Sequence, residues 1–131
     1  MTRPVHITFR HMGVSPALEQ EIRSRAAWLE TFYPGIVGCR VLLEIPYRHR
    51  KRGRPLHVRI ELSLPGEDVI VNHEPTLHAT ARPGPRKSEE LDGRHKDALV
   101  ALHAAFDVAR RRVEDVARRQ RGDVKTTAVV T

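Results

Sequence analysis

Arginine is the residue best placed to do chemistry in this chain, and it is concentrated in two stretches. Pro46-Tyr47-Arg48-His49-Arg50-Lys51-Arg52-Gly53-Arg54-Pro55 carries five Lys/Arg and no acid, between two segments that both read as β-strands. Near the C-terminus, Arg110, Arg111, Arg112, Arg118, Arg119 and Arg121 fall on one predicted helix. Like charges this close repel, so such runs stay solvated or meet a polyanion. A guanidinium forks onto phosphate oxygens and stacks on bases through its planar face. The chemistry on offer is therefore phosphate binding, with Arg48, Arg50, Lys51, Arg52 and Arg54 at a hairpin tip and Arg110, Arg111, Arg118 and Arg119 on a helix as candidate contacts. A solvated, mobile tip explains the first cluster alone equally well. Two basic elements in one small domain shift the balance toward nucleic acid.

Composition points the same way. The 131 residues hold 23 Lys+Arg against 16 Asp+Glu, a net charge of +7 and a sequence pI near 10.5, so the expected partner is an acidic polymer. Only four of the cations are lysine, which fits phosphate recognition and fits the codon bias of a GC-rich genome as well. A membrane surface would also attract this charge. No predicted helix, however, pairs a wide apolar stripe with interfacial aromatics, and aromatics make up 5% of the chain.

Other chemistries find little support. The glycines are scattered singly, so there is no glycine-rich phosphate loop, and no Ser, Cys and His arrangement carries a local nucleophile signature. Eight histidines with one cysteine show no zinc spacing, and His6, His57 and His73 read as polar-face residues of neighbouring strands. Cys39 has no internal disulfide partner and sits at an inward strand position. These features predict a protein that is not an enzyme and takes no cofactor, metal or small-molecule substrate. The N-terminus leads straight into a strand without an apolar signal core, and no run approaches a membrane span, which predicts a cytoplasmic location with no membrane partner.

The elements that must position the arginines follow from periodicity. Val5 to Phe9 alternates as a half-buried strand. Ser15-Pro16 supplies an N-cap and a proline at the first helical position, and Leu18, Ile22, Ala26, Leu29 and Phe32 recur at helical spacing until Pro34-Gly35. Val37, Cys39, Val41, Leu43 and Ile45 alternate, as does Leu56 to Leu64; after a turn at Pro65-Gly66-Glu67-Asp68, Val69-Ile70-Val71 returns as a shorter strand. Residues 74–95 have little apolar content and three prolines and read as a mobile insertion. From Lys96, Leu99, Leu102, Phe106, Ala109, Val113 and Val116 form the stripe of a helix ending near Gly122, with residues 123–131 as a disordered tail. On that helix Arg111 and Arg118 lie opposite the stripe, Arg110 and Arg121 flank it on one side, and Arg112 and Arg119 on the other. Some of these arginines are expected only to pair along the helix, as Asp107 with Arg111. The order β-α-β-β-β-α gives one α+β domain over residues 1–122.

The opening Val5-His6-Ile7-Thr8-Phe9-Arg10-His11, the helix end Trp28-Leu29-Glu30-Thr31-Phe32-Tyr33, the turn Leu62-Ser63-Leu64-Pro65-Gly66-Glu67 and Asp97-Ala98-Leu99-Val100-Ala101-Leu102 together resemble the ribosome hibernation-promoting factor / ribosome-associated translation inhibitor family. The resemblance runs over residues 5–73 and 96–121. It implies a double-stranded-RNA-binding-domain-like fold, with two helices packed on one face of a four-stranded sheet. It also implies a ribosome-binding protein that occupies the mRNA–tRNA channel of the small ribosomal subunit, inhibits translation and touches rRNA through basic residues of both helices. Arg25 falls where the family has a basic residue on the first helix, and Arg111 matches one on the second. Leu99 and His103 replace a tyrosine and an acid usual in the family, and Val108 and Asp115 stand where lysines are common. The chain stops after the helix, so the resemblance is to a short form without a C-terminal dimerisation domain. Two other readings of the residues stay open: a general module for structured RNA, and a protein-interaction domain that uses the open sheet face of Arg40, His57, Arg59 and Glu61.

Overall fold

The computed structural model describes the backbone of residues 1–45, 56–74 and 87–130, and side chains for these except 87–97 and 123–130. Six elements follow one another as β1 (His6–Arg10), α1 (Pro16–Glu30), β2 (Gly38–Glu44), β3 (His57–Leu64), β4 (Glu67–His73) and α2 (Lys87–Val130). The expected α+β order β-α-β-β-β-α is the observed one.

Local chemistry explains the boundaries. Ser15 caps α1 from an extended backbone, its Oγ accepting from the Leu18 amide at 3.3 Å, and Pro16 costs no hydrogen bond in the first turn. Between β3 and β4 the hairpin turns on Pro65-Gly66. Proline sets the first central dihedral and Gly66, at φ +89°, takes the left-handed position of a type II turn. The turn is tighter than the sequence suggests: Glu67 and Asp68 already belong to β4, which runs seven residues rather than three.

The four strands form one sheet in the order β1-β2-β3-β4, with β1 parallel to β2 and the other pairs antiparallel. Register aligns Ile7, Val41, Ile60 and Val71 across all four strands, with Cys39, Leu62 and Val69 in a neighbouring row. This face and the stripes of both helices make a single core, in which Leu18, Ile22, Ala26 and Leu29 of α1 meet Leu102, Phe106, Ala109, Val113 and Val116 of α2. Both helices therefore lie on one side of the sheet. Its other face is open and carries Arg40, Leu42, Glu44, His57, Arg59 and Glu61.

Three packing details depart from the periodic reading. Phe32 is only partly buried, and Tyr33 takes the buried place at the end of the α1 stripe. On α2, Leu99 is also partly buried, while Ala98, Ala101 and Ala105 join the core beside Leu102 and Phe106. The third is length: α2 begins at Lys87 and continues to Val130, where the period predicts a helix from 96 to about 122. Helix geometry needs only the local N–H to C=O ladder, and Lys, Glu and Leu near its start favour that ladder without supplying an apolar period. The expected insertion thus lies partly in a helical backbone, and residues 75–86 lie outside the described residues. The segment 123–130, expected as a disordered tail, continues the helix.

Candidate nucleic-acid interface

α1 and α2 run side by side over the sheet, and three kinds of arginine environment follow from where each residue falls around α2. On the α1 side, Glu21, Arg25 and Trp28 occupy one stripe of α1, at i+4 and i+3 steps, Phe32 follows in the turn just past its end, and together they face His103 and Arg110 of α2. Arg25 Nε donates to Glu21 Oε1 at 3.4 Å, and His103 Nε2 lies 2.7 Å from the same oxygen. The His103 hydrogen bond, helped by Arg25 and opposed by burial, holds the Glu21 carboxyl below its ordinary range. The Arg25 guanidinium carbon stands 5.2 Å from the Trp28 ring centroid, and that of Arg110 stands 5.9 Å from Trp28 and 5.5 Å from Phe32. These are cation–π distances.

Along the crest of α2, Arg111 and Arg118 are exposed, as is Arg121 on the flank that also carries Arg110. Arg118 pairs with Asp115 on the same helix, with both side chains in solvent, where such pairs stabilise by at most about 1 kcal/mol. The expected Asp107–Arg111 pair does not form. Arg111 has no ion-pair partner among the described residues, so its donors are left to solvent or a ligand. The i,i+4 pair that does form is Arg110 with Glu114, at 3.5 Å.

The third environment is the β4 side. Arg112 donates to the Ile70 carbonyl at 3.3 Å, and Arg119 to Glu67 at 3.1 Å. Gln120 fastens the same end of the helix, accepting from the Tyr33 hydroxyl at 3.0 Å and donating to the Pro65 carbonyl at 3.2 Å. A cleft of about 440 Å³ lies here, lined by Glu67, Asp68, Asp115, Arg112, Arg118 and Arg119 among others. Arg112 and Arg119 are already bonded there, to the Ile70 carbonyl and the Glu67 carboxylate, and three carboxylates line the same cleft, so it is a poor receptor for a further anion.

Of the sequence candidates, Arg25 and Arg110 are therefore brought together on one seam, Arg111 and Arg118 share the crest, and Arg119 belongs to the sheet edge. Arg48, Arg50, Lys51, Arg52 and Arg54 lie outside the described residues. The chain leaves β2 and enters β3 at the end of the sheet opposite the Pro65-Gly66 turn. Trp28, Glu21 and His103 escape the sequence reading; the 21/25/28/32 spacing through α1 and the turn just past its end is the signal that could have found them.

The open sheet face is less basic than its arginines suggest. Arg10 pairs with Glu44 at 3.4 Å, Arg59 with Glu61 at 3.0 Å, and His57 lies 3.8 Å from Glu74. Arg40 is exposed and has no ion-pair partner among the described residues. For catalysis the molecule offers little: burial pushes the Cys39 thiol up to about 12, far from a reactive thiolate. Among the described residues no group of three or more His, Cys, Asp or Glu could hold a metal ion, and no helix is long and apolar enough to cross a membrane.

Residues 5–121 match the family described as sigma 54 modulation protein / S30EA ribosomal protein. The chain belongs to that family. S30EA proteins are non-enzymatic ribosome-binding factors, so this is a ribosome-associated protein of the modulation and hibernation type, as the motif resemblance implies. Solved structures share the fold, among them the two that follow. The N-terminal domain of Thermus thermophilus Protein Y superposes with a TM-score of 0.58 at 19% identity, covering 88% of this chain and 99% of that one. A ribosomal subunit interface protein from Coxiella burnetii gives 0.53 at 12% identity, with 90% and 97% covered. No curated protein sequence matches the chain.

Proposed function

We propose that this S30EA protein acts in the cytoplasm as a translation inhibitor, seating residues 1–122 in the mRNA–tRNA channel of the small ribosomal subunit and holding there through rRNA phosphates. One observation carries the reading: Arg111 and Arg118 stand exposed on the crest of α2 beside the seam that holds Arg25 and Arg110, and Arg111 has no ion-pair partner among the described residues. Phosphate contacts of this kind supply affinity without sequence preference, and specificity comes from the shape of folded rRNA. Inhibition is then steric, since mRNA and tRNA cannot enter an occupied channel. The basic tip of Arg48, Arg50, Lys51, Arg52 and Arg54 adds to the same electrostatic attraction.

The reading of a protein-interaction module on the open sheet face is weaker, because Arg10, Arg59 and His57 there already face carboxylates. A general structured-RNA module would use the same arginines, and a sucrose gradient separates the cases. The expected outcome is co-sedimentation with small subunits at low salt and inhibition of a purified translation system. Protein left at the top of the gradient, with translation unaffected at several-fold excess, would overturn the proposal.

A further inference from the structure

Trp28 is the only tryptophan of the chain, and guanidiniums from both helices converge on it. Arg25 reaches it from one turn earlier in α1, and Arg110 from α2. Phe32 stands edge-on to the indole, 5.2 Å between centroids at 79°, and offers Arg110 a second ring. Trp28 and Phe32 pack against the rim of the core, but all four side chains are only partly buried, so the two guanidiniums remain open to solvent on one side. A guanidinium held against a ring interacts through its face, which leaves the N–H donors in its plane for acceptors.

Arg110 shows the consequence. Its Nε is buried with no hydrogen-bond acceptor, because Glu114 Oε1 at 3.5 Å forms an ion pair but not a directed bond. The side chain as a whole remains 38% exposed, so its Nη end is the part left for a ligand. On α1, the Arg25 Nε is engaged by Glu21, whose charge His103 shares. Arg25 is thus oriented through its Nε by a carboxylate and through its face by a ring, and Arg110 chiefly through its face, by two rings.

We propose that Trp28 is the platform of a two-helix phosphodiester clamp, fixing Arg25 and Arg110 as a pair that takes phosphates of one RNA strand. The proposal rests on the RNA-binding reading above and adds to it a positioning residue that carries no charge. A rotamer-rich side chain already ordered in the free protein loses less entropy on binding, a gain of roughly two- to tenfold in affinity per arginine. Charge count would place the binding determinants on arginine alone; the clamp makes them depend on an indole as well.

The test compares Trp28→Phe, Trp28→Leu, Arg25→Gln and the double variant Trp28→Leu/Arg25→Gln, binding small ribosomal subunits at one salt concentration. Phenylalanine keeps a ring face and is expected to bind within about threefold of wild type, and leucine about tenfold more weakly. Arg25→Gln should then cost less in the leucine background than in the wild type, since the two changes act through one arrangement. Wild-type affinity in Trp28→Leu, or equal costs of Arg25→Gln in both backgrounds, overturns the clamp. A second measurement decides it even if Trp28→Leu does not fold or the ribosome reading fails. Tryptophan emission of the wild-type protein is followed while a transcribed fragment of small-subunit rRNA is added, so Trp28 is the sole reporter. The emission should shift as phosphates arrive at the two guanidiniums held against the indole. Emission unchanged up to saturating RNA, or no binding of the RNA at all, rules the clamp out.

Discussion

The two flanks of α2 carry the same residue type to different ends. Toward α1, Arg110 rests on two aromatic rings with its Nε unsatisfied. Toward β4, Arg112 and Arg119 are bonded to the Ile70 carbonyl and the Glu67 carboxylate. β4 is an edge strand, and an edge strand presents unpaired carbonyls and amides that invite another chain. Arg112 covers one of those carbonyls, so its charge serves the fold. A tally of cations on this helix therefore overstates its binding surface. What separates the flanks is the neighbour each one meets: rings leave a guanidinium's donors open, whereas backbone and carboxylate oxygens use them.

The largest way to break this comparison is to remove what both flanks share. Phe106 is fully buried between them, and Phe106→Ala should lower the unfolding free energy by about 3–5 kcal/mol, measured by urea denaturation. A loss below about 1 kcal/mol would mean that the stripe does not hold the two flanks in place.

A finer comparison sets two double variants side by side. Arg111→Gln/Arg118→Gln should leave stability within about 0.5 kcal/mol and reduce the log-log salt dependence of ribosome binding by roughly 0.7–0.9 per lost phosphate contact. Arg112→Gln/Arg119→Gln should do the opposite, costing up to about 1 kcal/mol of stability per lost contact, since both contacts are exposed, and leaving the salt slope as it was. Equal slopes in the two variants would erase the distinction between crest and edge.

The smallest expected effect concerns pH. The Glu21 carboxyl is held below its ordinary value of 4.5 by His103 and Arg25, so its contribution to stability is present above that value and is lost as pH falls through the depressed folded-state value. The stability gap between wild type and Glu21→Gln should accordingly be open at about pH 5 and close in stronger acid. A gap that stays constant throughout that descent would show that the carboxylate gains nothing from its two partners.

Much of the fold is legible in the sequence because burial writes itself as period. Val58, Ile60, Leu62 and Leu64 alternate since one face of β3 is covered and the other is not, and Leu18, Ile22, Ala26 and Leu29 recur because α1 buries one stripe. The extra length of α2 is not legible in this way. Residues at its ends supply no repeating apolar face, and a helix carried by its own backbone ladder leaves no such trace. The placement of Arg110, Arg112 and Arg119 on opposite flanks follows from 3.6 residues per turn, but the neighbours that decide their roles come from other elements. Ile70 is 42 residues away from Arg112 in the chain, and Glu67 is 52 from Arg119. Asp107 and Arg111 show the converse: favourable spacing along a helix does not oblige two exposed side chains to meet.

The mixed sheet also sets an order of events. β2, β3 and β4 are joined by successive antiparallel pairings, and Pro65-Gly66 closes the last of them over two residues. β1 pairs only with β2, in parallel, and its register joins His6 to Arg40 across the whole of α1. Closing that longer loop loses more chain entropy, and a parallel pair cannot begin from a hairpin. The N-terminal strand is therefore expected to dock after the meander has formed, and its release would expose the β2 edge. Damage to β1 would shorten the lifetime of the folded state far more than it would slow its formation, because contacts absent from the folding transition state act on the unfolding rate.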